Sequence, residues 1–179
     1  MKRTSGFTLI ELLVTITVLS VLISAAVPSF KTTIQNGRLV GQANDFLGAM
    51  LYARTEAISL NRNIKICASS DQAACSANPA GWNQGWIITT LKTDGSIDSV
   101  LRVHDVLEGN NTLTNDQNVT NLVFGAGKGM PVSSVTTNFS LCDSRGASFG
   151  RSISVNAVGE TKVSRTVGKK LDTTTTITC

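Results

Sequence analysis

Residues 7–27 form an apolar stretch with one ionisable side chain, that of Glu11, and this stretch limits what the chain can fold into. As a helix rising about 1.5 Å per residue, it reaches about 30 Å, which matches the hydrocarbon thickness of a bilayer. The sequence therefore predicts a membrane-spanning helix. Lys2 and Arg3 precede it, and the positive-inside rule keeps such cations in the cytoplasm. The rest of the chain is expected on the exported side.

Glu11 needs an explanation, because a charge at the centre of a spanning helix costs roughly 2.5–3.5 kcal/mol on insertion scales. An acid in such a position usually has a partner. Cleavage between Gly6 and Phe7 would create one, because the new α-amine of Phe7 is a cation close in sequence to Glu11. In an assembly, we expect Glu11 to pair with the amine of a neighbouring subunit.

The N-terminus resembles the type III signal of type IV pilins and pseudopilins. The matching features are a short basic leader, Gly6 at the cleavage position, Phe7 as the new N-terminus, the run TLIELL from Thr8, and the helix-kinking Pro28. The resemblance implies that a prepilin peptidase removes residues 1–6 and that the Phe7 amine is methylated. It also implies that helix 7–30 spans the inner membrane before it enters a filament core, where Phe7 and Glu11 mediate subunit assembly.

Two other interpretations of this segment stay open. A secretory signal peptide has an apolar region of about 7–15 residues followed by a small-residue cleavage site. Residues 24–26, Ser-Ala-Ala, fit such a site, but the apolar region here is longer and carries an acid. A simple membrane anchor explains the length and leaves the Gly6–Phe7 junction and Glu11 unexplained.

The length of 179 residues leaves residues 31–179 as one exported globular domain, and a second domain is not expected. The formal net charge is +4, and removal of Lys2 and Arg3 with the leader lowers the side-chain sum to +2. This excess is too small to indicate a nucleic-acid partner by itself.

The four cysteines, Cys67, Cys75, Cys142 and Cys179, are an even set on the oxidising side of the membrane, which predicts two disulfides. Three pairings are possible. The spacing favours Cys67 with Cys75 across a local loop, and Cys142 with Cys179 as a tether for the chain terminus. Neither a metal site nor a cofactor is predicted, because the chain has no CxxC motif and a single histidine, His104.

The residues after Pro28 predict a helix and then strands. Apolar side chains recur with helical spacing at positions 39, 43, 46, 50, 53, 57 and 60, so helix 31–61 is expected to present an apolar stripe to a β-rich region, 64–179. The predicted strands are 64–68, 86–91, 99–107, 121–124, 138–142, 152–158 and 173–179. The fold class is therefore α+β: a long N-terminal helix, membrane-spanning in its first half and amphipathic in its second, packed on antiparallel β-sheet.

Further features are similar to the GspH/FimT branch of minor pilins and pseudopilins. They are the run YARTEA from Tyr52, the paired Gly-Trp features of GWNQGWI from Gly81, and Leu101-Arg102. The resemblance implies a minor pilin that helps to initiate a type IV pilus with other minor and major pilins, in support of twitching, adhesion or DNA uptake. The alternative is a GspH-like pseudopilin of a type II secretion system. Trp82 and Trp86 are expected to fill the interface between helix and sheet.

No enzyme is predicted, because the chain lacks the GxSxG, HExxH and phosphate-loop motifs, and His104 in a strand has no catalytic context. Some members of this family bind DNA through a C-terminal Gly-Arg-x-Arg motif, but here Glu160 and Lys162 replace its arginines. A DNA-binding minor pilin is thus a third alternative. The cations that would contact phosphates are Arg151, Lys162, Arg165, Lys169 and Lys170.

Overall fold

The computed structural model describes residues 7–172 and 174–179. The predicted leader, including Gly6, lies outside the described residues. One 51-residue helix, α1 (Leu9–Ser59), comes before all the strands. The strands are β1 (Ile64–Ala68), β2 (Trp86–Leu91), β3 (Ile97–His104), β4 (Thr112–Asn115), β5 (Asn121–Phe124), β6 (Thr137–Cys142), β7 (Arg151–Val155) and β8 (Thr161–Val163). Short 3₁₀ helices lie at Gly81–Gln84, Glu108–Asn110 and Ala147–Phe149.

The chain divides into two compact units at Gly37 and Arg38. In the first unit, α1 exposes nearly all of its large apolar side chains, and it is long and apolar enough to cross a membrane by length and composition. Pro28 lies inside the helix. Its ring nitrogen has no hydrogen to donate, but its carbonyl oxygen accepts a hydrogen bond from the Thr32 hydroxyl at 3.1 Å.

The second unit contains two antiparallel four-stranded sheets, in the strand orders β3-β2-β1-β5 and β4-β6-β7-β8. The sequence correctly predicts antiparallel sheet packed on a helix, and the structure adds that the strands form two sheets.

Aromatic side chains join α1 to both sheets. Phe46 on α1 contacts Trp82, Trp86 and Phe139 edge-to-face, with ring centroids 5.6, 5.0 and 4.8 Å apart. All four side chains are buried. The predicted stripe is buried at positions 39, 43, 46, 50, 53 and 57, and the predicted packing role of both tryptophans is confirmed.

Leu60, the last position of the predicted stripe, is 45% exposed, and α1 ends at Ser59 rather than at residue 61. Asn61 has a positive φ of 49°, a left-handed conformation that commonly ends helices. Two strands are also shorter than predicted. β3 ends at His104, because the Leu107 amide turns to the carbonyl of Asn83, and β7 ends where residues 156–159 form a turn.

The predicted strand at 173–179 is wrong for residues 174–179, and residue 173 lies outside the described residues. Thr176 forms only an isolated bridge to Lys169. The Asp172 carboxylate accepts hydrogen bonds from the amides of Thr174 and Thr175, and such a side-chain turn competes with strand formation. β4 and β8, with four and three residues, were not predicted.

The two disulfides of the structure join Cys67 to Cys75 and Cys142 to Cys179, the pairs that the spacing favours. The first closes an 8-residue separation after β1. The second spans 37 residues and fixes the segment that follows β8 to the end of β6.

Candidate functional site

Phe7 lies just before α1 and Glu11 lies in its first turn, and these are the residues predicted to mediate assembly. Phe7 is 75% exposed, and Glu11 is exposed in the first turn of the helix. The hydroxyl of Thr8 accepts the Glu11 amide at 3.3 Å, and its carbonyl accepts the Leu12 amide at 3.2 Å. Thr8 therefore acts as an N-cap, and the acid in the first turn is favourably placed for the helix dipole.

The helix also contacts a loop of the domain through a buried polar side chain that the sequence analysis missed. Gln42 is 9% exposed, donates to the carbonyl of Glu108 at 3.0 Å, and accepts from the amide of Asn111 at 2.7 Å. Its position could have predicted this burial. Gln42 lies three residues after Leu39 and four before Phe46, so it shares the buried face of α1.

The five cations considered for DNA binding are distributed over β7, β8 and the segment after β8. Three of them already have partners. The Nζ atom of Lys162 lies 2.6 Å from Glu160 Oε1, and that of Lys170 lies 3.1 Å from Asp116 Oδ2. Lys169 donates to the carbonyl of Thr174 and to the hydroxyl of Thr176. Arg151 begins β7 and is partly exposed, and Arg165 is exposed.

Glu160 changes the local charge beside Lys162, one of the five cations. A hydrogen bond from Lys162 lowers the pKa of the Glu160 carboxyl, partial burial opposes this, and the Lys162 charge, Asn156 and Arg54 lower the pKa further. The carboxyl is therefore ionised at neutral pH and places a negative charge beside Lys162. Such a charge repels phosphate, so the arrangement does not favour the DNA interpretation.

His104 is held by packing. Its ring stacks on Trp86 with centroids 3.9 Å apart and planes 11° from parallel, and its Nδ1 atom lies 2.8 Å from the carbonyl oxygen of Asp105. In the described part of the chain, no three His, Cys, Asp or Glu side chains come together in a cluster that would hold a metal ion.

Comparison with known families and structures gives consistent matches. The family model for the type II transport protein GspH matches residues 42–159, and the model for the prokaryotic N-terminal methylation motif matches residues 1–27. No curated protein sequence matches the chain significantly.

Among solved structures, the type IV minor pilin FimU of Pseudomonas aeruginosa is similar in two crystal forms. The first crystal form shares 27% sequence identity with this chain, and the match has a TM-score of 0.59 and covers 72% of this chain and 90% of FimU. The second crystal form shares 28% sequence identity, and the match has a TM-score of 0.57 and covers 70% of this chain and 91% of FimU. The minor pseudopilin EpsH of Vibrio cholerae shares 12% identity with a TM-score of 0.47 over 70% of this chain and 95% of EpsH. The GspH model covers more than half of this chain, so the chain belongs to the GspH family of type II transport proteins, and it is similar to a type IV minor pilin.

Proposed function

We propose that this chain is a minor pilin that enters a type IV pilus and helps to initiate its assembly. A prepilin peptidase removes residues 1–6 after Gly6, and the amine of Phe7 is methylated. Until assembly, residues 7–30 hold the protein in the inner membrane with its disulfide-bonded domain in the periplasm. The match to the N-terminal methylation motif over residues 1–27 and the similarity to FimU support this proposal.

The observation that carries the proposal is the exposed Glu11 in the first turn of an apolar helix. In lipid an isolated carboxylate is costly, and a positive terminus from a neighbouring subunit would offset that cost. Assembly thus gives the acid a partner that the separate subunit lacks.

Two measurements test the proposal. Mass spectrometry of the mature protein is expected to find an N-terminal methylated Phe7, and a product that begins after Ala26 would overturn the processing model. Glu11→Gln is expected to lower recovery in sheared filaments by at least about tenfold, because removing one partner of a desolvated ion pair is strongly destabilising. Asp45→Asn, which removes an exposed acid from the same helix, is the matched control and is expected to assemble normally.

A pseudopilin of a type II secretion system is the second candidate, because the matching family model is that of GspH. Deletion of the coding sequence separates the two. Loss of surface pili and twitching with secretion intact supports the pilus, and loss of exoprotein secretion with pili intact supports the pseudopilus.

A further inference from the structure

Each sheet of the domain has two outer strands, and three of these four strands are protected against pairing with another chain. β3 has two shifts of register against β2, and such bulges interrupt an edge. Val132 covers the outer side of β5, because its amide donates to the carbonyl of Val123 at 2.8 Å. β4 is covered by the 3₁₀ helix Gly81–Gln84, and the side-chain amide of Asn115 in β4 donates to the carbonyl of Val119 at 3.0 Å.

β8, the fourth outer strand, has main-chain groups without partners. Its ladder with β7 pairs Lys162 with Ser154, and on either side the Asn156 amide donates to Glu160 and the Ser164 amide to Ser152. Because hydrogen-bonded positions alternate in an antiparallel ladder, the N–H and C=O groups of Thr161 and Val163 point away from β7. Within residues 7–172 and 174–179, no other element forms a backbone hydrogen bond with them.

A groove of about 570 Å³ lies beside this open side of β8, and we call it the β8 groove. It is lined by Asn44 and Leu47 of α1, by Thr161–Val163, and by Ser164, Arg165 and Leu171. Leu47 is only partly buried, and Val40 and Leu51, seven residues before and four after it, are 40% and 43% exposed on the same helix face. The groove therefore has an apolar wall.

Two polar side chains of the β8 groove, those of Thr161 and Arg165, also lack partners among the described residues. Thr161 is 9% exposed, and its buried hydroxyl oxygen forms no hydrogen bond to any described residue. Lys162 is neutralised by Glu160, whereas Arg165 is exposed and forms no ion pair within the described part of the chain. An occupant therefore needs main-chain donors and acceptors, an apolar side chain, and an acid.

We propose that the β8 groove receives an extended segment of a neighbouring, non-identical pilin-family subunit. The segment pairs its main chain with Thr161 and Val163, places an apolar side chain against Leu47, and brings an acidic side chain to Arg165. This inference rests on the assembly function proposed above and names the partner surface. A polypeptide fits better than nucleic acid, because the groove offers strand pairing and an apolar wall as well as a cation.

Two variants and a cross-linking probe test this in the full chain, in cells that assemble the filament. Val163→Pro removes an outward N–H and leaves the Lys162 ladder bonds in place, and Arg165→Glu reverses the unpaired charge. Each is expected to lower recovery in sheared filaments about tenfold, which corresponds to the loss of one good contact. The matched control is Lys92→Glu, a charge reversal on the exposed turn after β2, which is expected to change recovery less than twofold. Resistance of the domain to limited proteolysis, together with intact disulfides on non-reducing gels, shows that each variant is folded.

A photoreactive amino acid at position 165 identifies the occupant by peptide mapping. We expect cross-links to an acid-containing strand of another filament subunit, and changing that acid to lysine should restore assembly of Arg165→Glu. Cross-links to a second copy of this chain, to nucleic acid or to nothing in the filament would overturn the proposal, as would normal recovery of folded Arg165→Glu. The filament assay also separates this proposal from the proposed function. If the wild type assembles and Glu11→Gln does not, any of these outcomes overturns the proposed role of the β8 groove and leaves the proposed function in place.

Discussion

At the scale of single residues, Asp143 is an acid whose charge is stabilised inside the fold. Its side chain is 4% exposed and contacts Arg145, with Oδ2 2.7 Å from one guanidinium nitrogen. Burial raises the pKa of the Asp143 carboxyl, but the side-chain and backbone hydrogen bonds and the charge of Arg145 together lower it below its usual value. Arg145 in turn lies over the ring of Phe149, 4.5 Å from its centroid.

This arrangement predicts an acid-dependent loss of stability. Because the folded-state pKa of Asp143 is lowered, its contribution is complete above the unfolded-state pKa of about 4 and is lost as the pH falls through the folded-state pKa. Thermal unfolding of the full chain in detergent can be measured from neutral to strongly acidic pH. The midpoint temperature should fall as the pH drops below about 4.

Arg145→Ala is the informative control, because it removes the guanidinium but keeps the backbone hydrogen bond from residue 145, and it should raise the pKa of Asp143. The acid-dependent fall in the unfolding midpoint should then be smaller than in the wild type, because the folded-state pKa of Asp143 lies closer to its unfolded-state value. An unchanged pH profile in this variant would show that the pair does not set the pKa of Asp143.

Among single residues, apolar packing was more predictable than polar contacts. The helical spacing places Phe46 on the buried face, and each glycine before Trp82 and Trp86 suggests a close approach. The contact between Gln42 and Asn111 joins residues 69 positions apart, and no local pattern encodes such a pairing.

At the scale of elements, the two disulfides constrain the unfolded chain to different extents. The loop-entropy model gives about 2.5 kcal/mol for the 8-residue separation and about 4 kcal/mol for the 37-residue separation. We therefore predict that the double variant Cys142→Ser and Cys179→Ser loses more free energy of unfolding than Cys67→Ser and Cys75→Ser. Denaturant unfolding of the full chain in detergent measures both, and equal losses would contradict the prediction.

The elements that the sequence predicted are those with a long or strong pattern. α1 and the buried strands β1 and β2 follow from helical spacing and from runs of β-branched residues. The missed strands β4 and β8 exist because β6 and β7 supply their ladders, which is a tertiary effect. The threonine-rich C-terminal segment has strand propensity, but the amides of Thr174 and Thr175 donate to the Asp172 side chain instead of to a neighbouring strand.

At the scale of the whole molecule, the core of the second unit lies entirely within residues 38–179. A fragment of these residues is predicted to fold alone, with both disulfides and one cooperative thermal transition. A fragment of residues 44–179 is the control, because it lacks the buried Leu39, Gln42 and Ala43. It should be less stable by roughly 2–5 kcal/mol, the cost of removing one large core side chain. Circular dichroism measures both, and equal stability would contradict the prediction.

The candidate site was predictable where one continuous motif encodes it. The run from Gly6 to Glu11 contains the residues that are predicted to mediate assembly, although Gly6 lies outside the described residues. The β8 groove was not predictable, since Leu47, Thr161 and Arg165 come together only after the sheets form. The basic residues near the C-terminus were visible in the sequence, but their pairing with Glu160 and Asp116 emerges from the fold.

The two bulges of β3 affect how copies of this protein interact at high concentration. At high concentration, a regular outer strand can pair with the same strand of another copy, and such edge-to-edge pairing leads to aggregation. The irregular backbone of β3, with Asp98 and Arg102 exposed along it, breaks that ladder after a few residues. The β3 edge of this protein is therefore not expected to be where copies join into a ladder.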